Sequence, residues 1–273
     1  MICGWNELLG ILPGWLAREV DTGAKGKLRE LRLRLGEPPQ LVMDGQELFL
    51  GRRIKAEELS FCVNTATKYS PWAAATIAEG FITAPGGHRI GICGEAVKEG
   101  ERLRGIRNIR SVCIRVAGDY PGIAAPLATL KGSILIIGRP GSGKTTLLRD
   151  LVRQISAKEN VCVIDQRAEL FPSCFQAGKR TDILTGCDKD KSIDMLLRTM
   201  SPDTIAMDEI TRESDCDALR KAAWCGVRLI ATAHASDEDE LRRRSVYKSI
   251  LRDSIFDTLV VLGRDKSWRT ERM

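Results

Sequence analysis

The chain has 273 residues, 43% of them hydrophobic and 29% charged, a length that accommodates two domains with cores of their own and a balance that excludes a disordered or fibrous chain. Its net charge of +6 is spread evenly, with 17 basic against 14 acidic residues before Lys131 and 25 against 22 from there on, which argues against a nucleic-acid module with its positive charge gathered on one segment. Nine cysteines without a C-x-x-C pair, accompanied by only two histidines, exclude a zinc framework and fit buried free thiols of a reducing compartment.

The N-terminus shows no charged stretch followed by a signal-length apolar core, and no run approaches the eighteen apolar residues of a membrane span. A cytoplasmic chain that meets a membrane only through a partner is expected. Residues 5–20 carry Trp5, Leu8, Leu9, Leu12, Trp15 and Leu16 at helical spacing around Pro13-Gly14, which predicts two short helices capping a core. From Leu28 the period becomes two. Leu31, Leu33 and Leu35 alternate with Arg32 and Arg34, the pattern of a half-buried strand with arginines on its solvent face. Residues 40–43 and 46–50 read as a hairpin about Asp44-Gly45, and 56–67 and 71–79 as helices. FITAP, HRIGICGEAV, RLRGI and SVCIRVAG predict a small antiparallel sheet, with His88 an exposed loop residue of no assigned role. Residues 1–122 are thus expected to form an α+β domain. The stretch YPGIAAPLATLKG, with two prolines and two glycines, holds a linker at 123–132, and 133–273 form the second domain.

That second domain opens on the stretch around which the chain is organised. Residues 134–137 are an apolar run, and Leu147, Leu148 and Leu151 recur at helical spacing after it. Between them Gly138, Gly143, Lys144 and Thr145 satisfy G-x-x-x-x-G-K-[ST], with Arg139, Pro140, Gly141, Ser142 and Thr146 completing the loop. Glycines let backbone N–H groups turn toward phosphate oxygens, and the helix N-terminus adds its positive end. Lys144 reaches the β- and γ-phosphates, and the Thr145 hydroxyl serves Mg²⁺. A bare match arises by chance in roughly one chain per hundred of this length at ordinary glycine usage; a strand before and a helix after make it far more specific. ATP with Mg²⁺ is the expected cofactor pair.

Beyond the loop, strands at 161–165, 204–208, 227–233 and 256–263 alternate with helices at 192–200, 213–225 and 238–251, which predicts an α/β fold with a parallel sheet. Such sheets bind ligands at the carboxyl ends of their strands. There TIAMDE ends in Asp208, suited to the Mg²⁺ shell, and Glu209, suited to polarise the attacking water. ATAH ends in His234, where a γ-phosphate sensor would sit. VCVIDQRAE ends in Asp165, Gln166, Arg167 and Glu169, polar groups that either face the nucleotide or form a salt-bridged loop.

The set GRPGSGKTT, VIDQRAE, IAMDEI and GVRLIATAHA resembles the Walker A motif, acidic box, Walker B motif and histidine box of the type II/type IV secretion and pilus-motor ATPases. ELRLRLGEPPQLV, GGHRIGICGEAV, SVCIRVAG and LRRRSVYKSILRDSIFDTLVVLGR extend the resemblance nearly end to end, to the stage III sporulation protein AA family of endospore-forming bacteria. The resemblance implies a RecA-like ATPase domain, a homo-hexamer, and a mother-cell location. It also implies a partnership with membrane-embedded channel or secretion proteins between mother cell and forespore. It assigns catalytic roles to Asp165 and Glu169 beside Lys144, Glu209 and His234. Two positions depart from the family pattern: Gln166, where an acidic residue is expected, and Thr211, where glycine is. Related ATPases draw arginines from the N-terminal domain, and Arg110 and Arg115, close before the linker, are the candidates for that role. Two other classes compete with an ATPase motor. One is a nucleic-acid-stimulated translocase, against which the even charge speaks; the other is a non-hydrolysing nucleotide-dependent scaffold, which has no need of Glu209.

Overall fold

Leucines at alternate positions near the N-terminus build the first sheet. The computed structural model describes residues 4–43, 45–67, 81–100, 102–172, 175–263 and 265–273. The chain divides into two units, Met1–Asp119 with Pro172–Phe175, and Tyr120–Phe171 with Gln176–Met273.

In unit 1, helices α1 (Trp5–Gly10) and α2 (Gly14–Ala24) precede strands β1 (Leu28–Arg34), β2 (Gln40–Met43) and β3 (Gln46–Phe49). Helix α3 (Ala56–Thr67) and strands β4 (Phe81–Thr83), β5 (Arg89–Glu99) and β6 (Arg102–Arg115) follow. The strands form one antiparallel sheet in the order β3-β2-β1-β6-β5-β4. One face of it, with Leu31, Leu33, Leu41, Ile90, Val112 and Ile114, packs in a single core with Leu8, Leu16, Val20, Leu59 and Cys62 from the helices. Each of these large side chains gains about 1.5–3 kcal/mol from burial. The helices therefore do cap a core, and the break between them falls at Pro13, whose φ of −53° and ψ of 140° leave the helical region.

Four expectations for this unit need comment. Leu35 lies past the end of β1 and is 46% exposed rather than buried. RLRGI and SVCIRV belong to one continuous strand: β6 absorbs its extra residues in a bulge, where the pairing passes from Cys93↔Ser111 to Glu95↔Arg107 and Asn108 takes a φ of 47°. The expected helix at 71–79 falls outside the described residues. His88 is not exposed but fully buried. Its Nδ1 accepts from the amide of Ala117 at 3.1 Å, so Nε2 carries the proton and donates to the carbonyl of Gly4 at 2.8 Å. The glycine-rich turn before it hid this, because the ring fills space beside Gly4 and Gly86 that a Cβ would occupy.

Unit 2 contains β7 (Ile134–Gly138), α4 (Lys144–Ile155), β8 (Val161–Asp165), β9 (Thr181–Thr185), α5 (Lys189–Thr199) and β10 (Thr204–Ile210). After them come α6 (Glu213–Trp224), β11 (Arg228–Ala233), α7 (Glu238–Arg243), α8 (Lys248–Arg252), β12 (Thr258–Leu262) and β13 (Trp268–Arg272). The sheet order is β13-β12-β7-β11-β10-β8-β9, parallel except for the β12–β13 pair. β7 and β8 are buried at every position, as strands covered on both faces must be.

The expected helix at 238–251 is broken into α7, a 3₁₀ turn (Ser245–Tyr247) and α8. Leu241 and Tyr247 are both buried; six residues apart they would lie about 240° round a straight helix, so the break lets both face the core. Tyr247 then donates its hydroxyl to the carbonyl of Ile210 at 3.2 Å. Residues 120–132 fold onto unit 2. The buried carboxylate of Asp150 on α4 accepts from the amides of Gly122 and Ala124 at 3.0 and 2.8 Å, and Arg228 donates to the carbonyls of Leu130 and Gly132.

Candidate functional site

Because β7, β11, β10 and β8 are neighbours in that order, their carboxyl ends bring four separated stretches of sequence to one edge of the sheet. β7 runs into the glycine loop, whose turn needs positive φ at Gly141 (76°) and Gly143 (105°). The first backbone bond of α4 runs from Leu147 N to Gly143 O at 2.9 Å, so the amides of Lys144, Thr145 and Thr146 precede it at the helix's positive end. Arg139 and Pro140 are exposed on the loop's outer side. Inside it, Ser142 Oγ is buried with no partner among the described residues, 2.4 Å from where a Cβ on Gly138 would stand.

Lys144 is only 7% exposed. Its ammonium donates to the carbonyls of Gly138 (2.9 Å) and Arg139 (3.2 Å) and to His234 Nδ1 (3.0 Å). Burial pushes its pKa below the usual lysine range, while the charges of Asp208 and Glu209 work the other way. Since His234 Nδ1 accepts, Nε2 bears the proton and donates to Glu209 Oε1 at 3.0 Å. Thr145 donates to Asp208 Oδ2 at 2.9 Å.

Asp208 and Glu209 are consecutive, and on a regular strand they would point to opposite faces. They do not sit on one. The pairing of β10 with β11 passes from Met207↔Ala231 to Ile210↔Ala233, three steps against two, and Glu209 has a φ of 57°. This bulge turns both carboxylates toward the side chains of Thr145 and His234. Two residues that sequence patterns did not single out hold it. Thr232, fully buried on β11, donates to Asp208 Oδ1 at 2.6 Å and accepts from the amide of Glu209 at 2.8 Å. Lys189, buried at the start of α5, donates to the carbonyl of Glu209 and stands 3.7 Å from Asp215. A threonine in an apolar strand and a lysine in a polar helix turn carry no signal of their own; only the adjacency of the elements shows what they do.

Asp165 ends β8 with its carboxylate turned into its own loop. It accepts from the amides of Glu169, Leu170 and Phe171 at 2.9, 2.9 and 3.0 Å. Burial lifts its pKa above the usual carboxylate range, and these three bonds oppose the shift. Glu169 is half-buried on this turn, and Gln166 is exposed with its amide 3.4 Å from Asp188. Arg110 and Arg115 are exposed on β6 of unit 1, where Arg115 stands 3.8 Å from Glu30.

The sequence profile of "Sporulation stage III, protein AA" matches residues 9–271. The chain belongs to this family. It is 33% identical over 282 residues to Stage III sporulation protein AA of Bacillus subtilis (strain 168), covering 96% of this chain and 92% of that protein. Among solved structures the family member is similar to the ATPase DotB of Legionella pneumophila, at 17% identity and a TM-score of 0.63, covering 96% of this chain and 80% of that one. It is also similar to the pilus retraction motor PilT with bound ADP, at 16% identity and a TM-score of 0.63, covering 89% and 76%. At these identities the likeness is one of fold, that of the RecA-like secretion ATPases with N- and C-terminal domains. Among the described residues no helix is long and apolar enough to cross a membrane.

Proposed function

We propose that this member of the sporulation family is an ATP-hydrolysing motor. The observation that carries the reading is the pair of polar circuits at the sheet edge: Lys144–His234–Glu209 and Thr145–Asp208–Thr232. Each joins the phosphate loop to the ends of β10 and β11. A loop that only made a turn would need neither.

The residues fit Mg-ATP. The α4 amides, Lys144 and the buried Ser142 hydroxyl form a donor set for phosphate oxygens. Mg²⁺ keeps several waters and binds through one or two protein oxygens and the substrate's phosphates. Thr145 and Asp208 would hold it. Bound Mg²⁺ would supply charge neutralisation to the nucleotide's phosphates. Lys144 would exchange the carbonyls of Gly138 and Arg139 for phosphate oxygens, a stronger acceptor set for an ammonium held in low dielectric. Glu209 would orient the attacking water and take up its proton at a carboxylate oxygen, with His234 fixing the carboxylate through Oε1. Asp165 would act through the turn it holds, which also carries Glu169.

Family membership supports work in spore formation. We infer a homo-hexamer docked on membrane-embedded channel proteins from the mother-cell cytoplasm, with Arg110 or Arg115 lent by unit 1 as a further cation. The test is turnover and nucleotide binding in two variants. Glu209→Gln is expected to bind ATP and Mg²⁺ while turnover falls on the order of 10²-fold or more, and Lys144→Ala to lose both. Wild-type turnover in Lys144→Ala would sink the nucleotide reading. ATP binding without hydrolysis by the native chain would make it a scaffold, and a severalfold, steeply salt-dependent stimulation by single-stranded nucleic acid would make it a translocase.

A further inference from the structure

Resting on the nucleotide reading above, we propose that Arg167 is the cation for the γ-phosphate supplied from within the same chain. It pairs with Glu209 when the loop is empty and passes to the phosphate when ATP arrives, leaving the Glu209 carboxylate to the water.

The backbone beneath Arg167 is built to hold a side chain in place. It forms the tip of the turn after β8, where Ala168 takes a φ of 53° and its amide closes on the carbonyl of Asp165 at 3.0 Å. Asp165 gathers three amides on the far side of that tip. Burying a carboxylate costs several kcal/mol unless its oxygens are satisfied, and these three amides satisfy both oxygens of Asp165. The amide of Gly186 donates to the carbonyl of Gln166 at 3.3 Å. Arg149, from the helix that follows the phosphate loop, donates to the carbonyls of Leu170 and Glu169. The base of Arg167 is thereby tied to the helix that cradles phosphate.

Its side chain is the opposite: 64% exposed, with Nη1 3.8 Å from Glu209 Oε2. That is the carboxylate oxygen His234 leaves over, since His234 holds Oε1. Arg167 thus ends a polar chain that starts at the P-loop lysine, with steps of 3.0, 3.0 and 3.8 Å from Lys144 through His234 and Glu209. An exposed ion pair of this length stabilises a fold by about 0–1 kcal/mol, so stability gives little reason for it. A weak tie is what an exchange needs. The γ-phosphate offers more negative charge than one carboxylate and oxygens spaced for a guanidinium fork. The same movement removes the cation from Glu209 just when that carboxylate is required as a proton acceptor.

The experiment uses the full chain, with Arg167→Ala and Arg167→Lys, and reads four quantities. These are melting temperature, Mg-ADP binding, Mg-ADP binding with aluminium fluoride as a mimic of the phosphoryl group in transfer, and ATP turnover. Arg167→Ala is expected to melt with the native chain and bind Mg-ADP equally well. It should lose the fluoride complex, with turnover down on the order of 10³-fold. Arg167→Lys should recover part of both losses, because a point charge replaces a fork. Unchanged turnover and an unchanged fluoride complex overturn the proposal. So does faster turnover, which would make Arg167 a brake on Glu209, and so does an equal loss of Mg-ADP binding. If the native chain neither binds Mg-ADP nor hydrolyses ATP, the nucleotide reading falls and this assignment with it. If the native chain does both and only the arginine variants are indistinguishable from it, the arginine assignment alone falls.

Discussion

His88 has both ring nitrogens committed to backbone groups, so its protonation state is part of the fold of unit 1. Adding a proton at Nδ1 would break the bond from Ala117 and place a charge where no solvent reaches. Burial accordingly holds its pKa below the ordinary histidine value of 6.5. A depressed value in the folded chain means that the unfolded chain binds the proton first, as pH falls through the ordinary value of 6.5. The contribution to stability is therefore complete above it and lost below it, by at most about 1.4 kcal/mol per pH unit for one proton. Urea unfolding from pH 7.5 to 5.5 is expected to show a steeper loss in the native chain than in His88→Gln, and parallel curves would refute the assignment. The same residue shows why the sequence misled. A histidine beside Gly86-Gly87 looks like a loop side chain, and nothing local says that the space left by Gly4 and Gly86 is there to hold its ring. That Lys144, Thr145, Asp208, Glu209 and His234 come together was legible for the converse reason: each lies in a contiguous pattern at the end of a strand or the start of the helix after the glycine loop, and the parallel order brings those ends to one edge.

Elements whose job is to pack against both faces of a sheet announce themselves by continuous apolar runs, and β7, β8, β10 and β11 were read within a residue or two. β9 and β13 were not read at all. Both are edge strands with three of five positions exposed, and TDILT and WRTER offer almost no period to detect. Lys189 belongs to this scale too, because it matters only as a tie between elements. Its ammonium joins the start of α5 to the bulge of β10 and to Asp215, which itself accepts from the amides of Thr211 and Arg212 at the head of α6. Lys189→Met keeps the stem and deletes the charge. It leaves the Asp215 carboxylate buried without its cation and the Glu209 carbonyl without its donor. We expect a loss of about 3 kcal/mol or more in denaturant unfolding, and turnover falling further than ATP affinity as Glu209 leaves its left-handed setting. Native stability with native turnover would show that the bulge holds itself.

At the scale of the molecule, the predominantly parallel order of unit 2 followed from alternating strands and helices, but no pattern reveals that Pro172–Phe175 belongs with unit 1. Four residues are too few to carry a period. Pro172 and Phe175 pack closely against Gly87: a Cβ there, at a φ of 73°, would lie 2.4 Å from Pro172 Cγ and 3.3 Å from Phe175 Cε2. Residues 1–119 and 120–273 produced as separate chains are therefore expected to copurify, and Gly87→Ala to weaken that association. Fragments that elute apart, with each one folded, would contradict this.

The chain consequently passes between the units three times, and the middle passage begins at a telling place. The amide of Phe171 is held by the Asp165 carboxylate, and the next residue, Pro172, already counts with unit 1. A single peptide link therefore separates the turn that carries Arg167 from the unit beyond it.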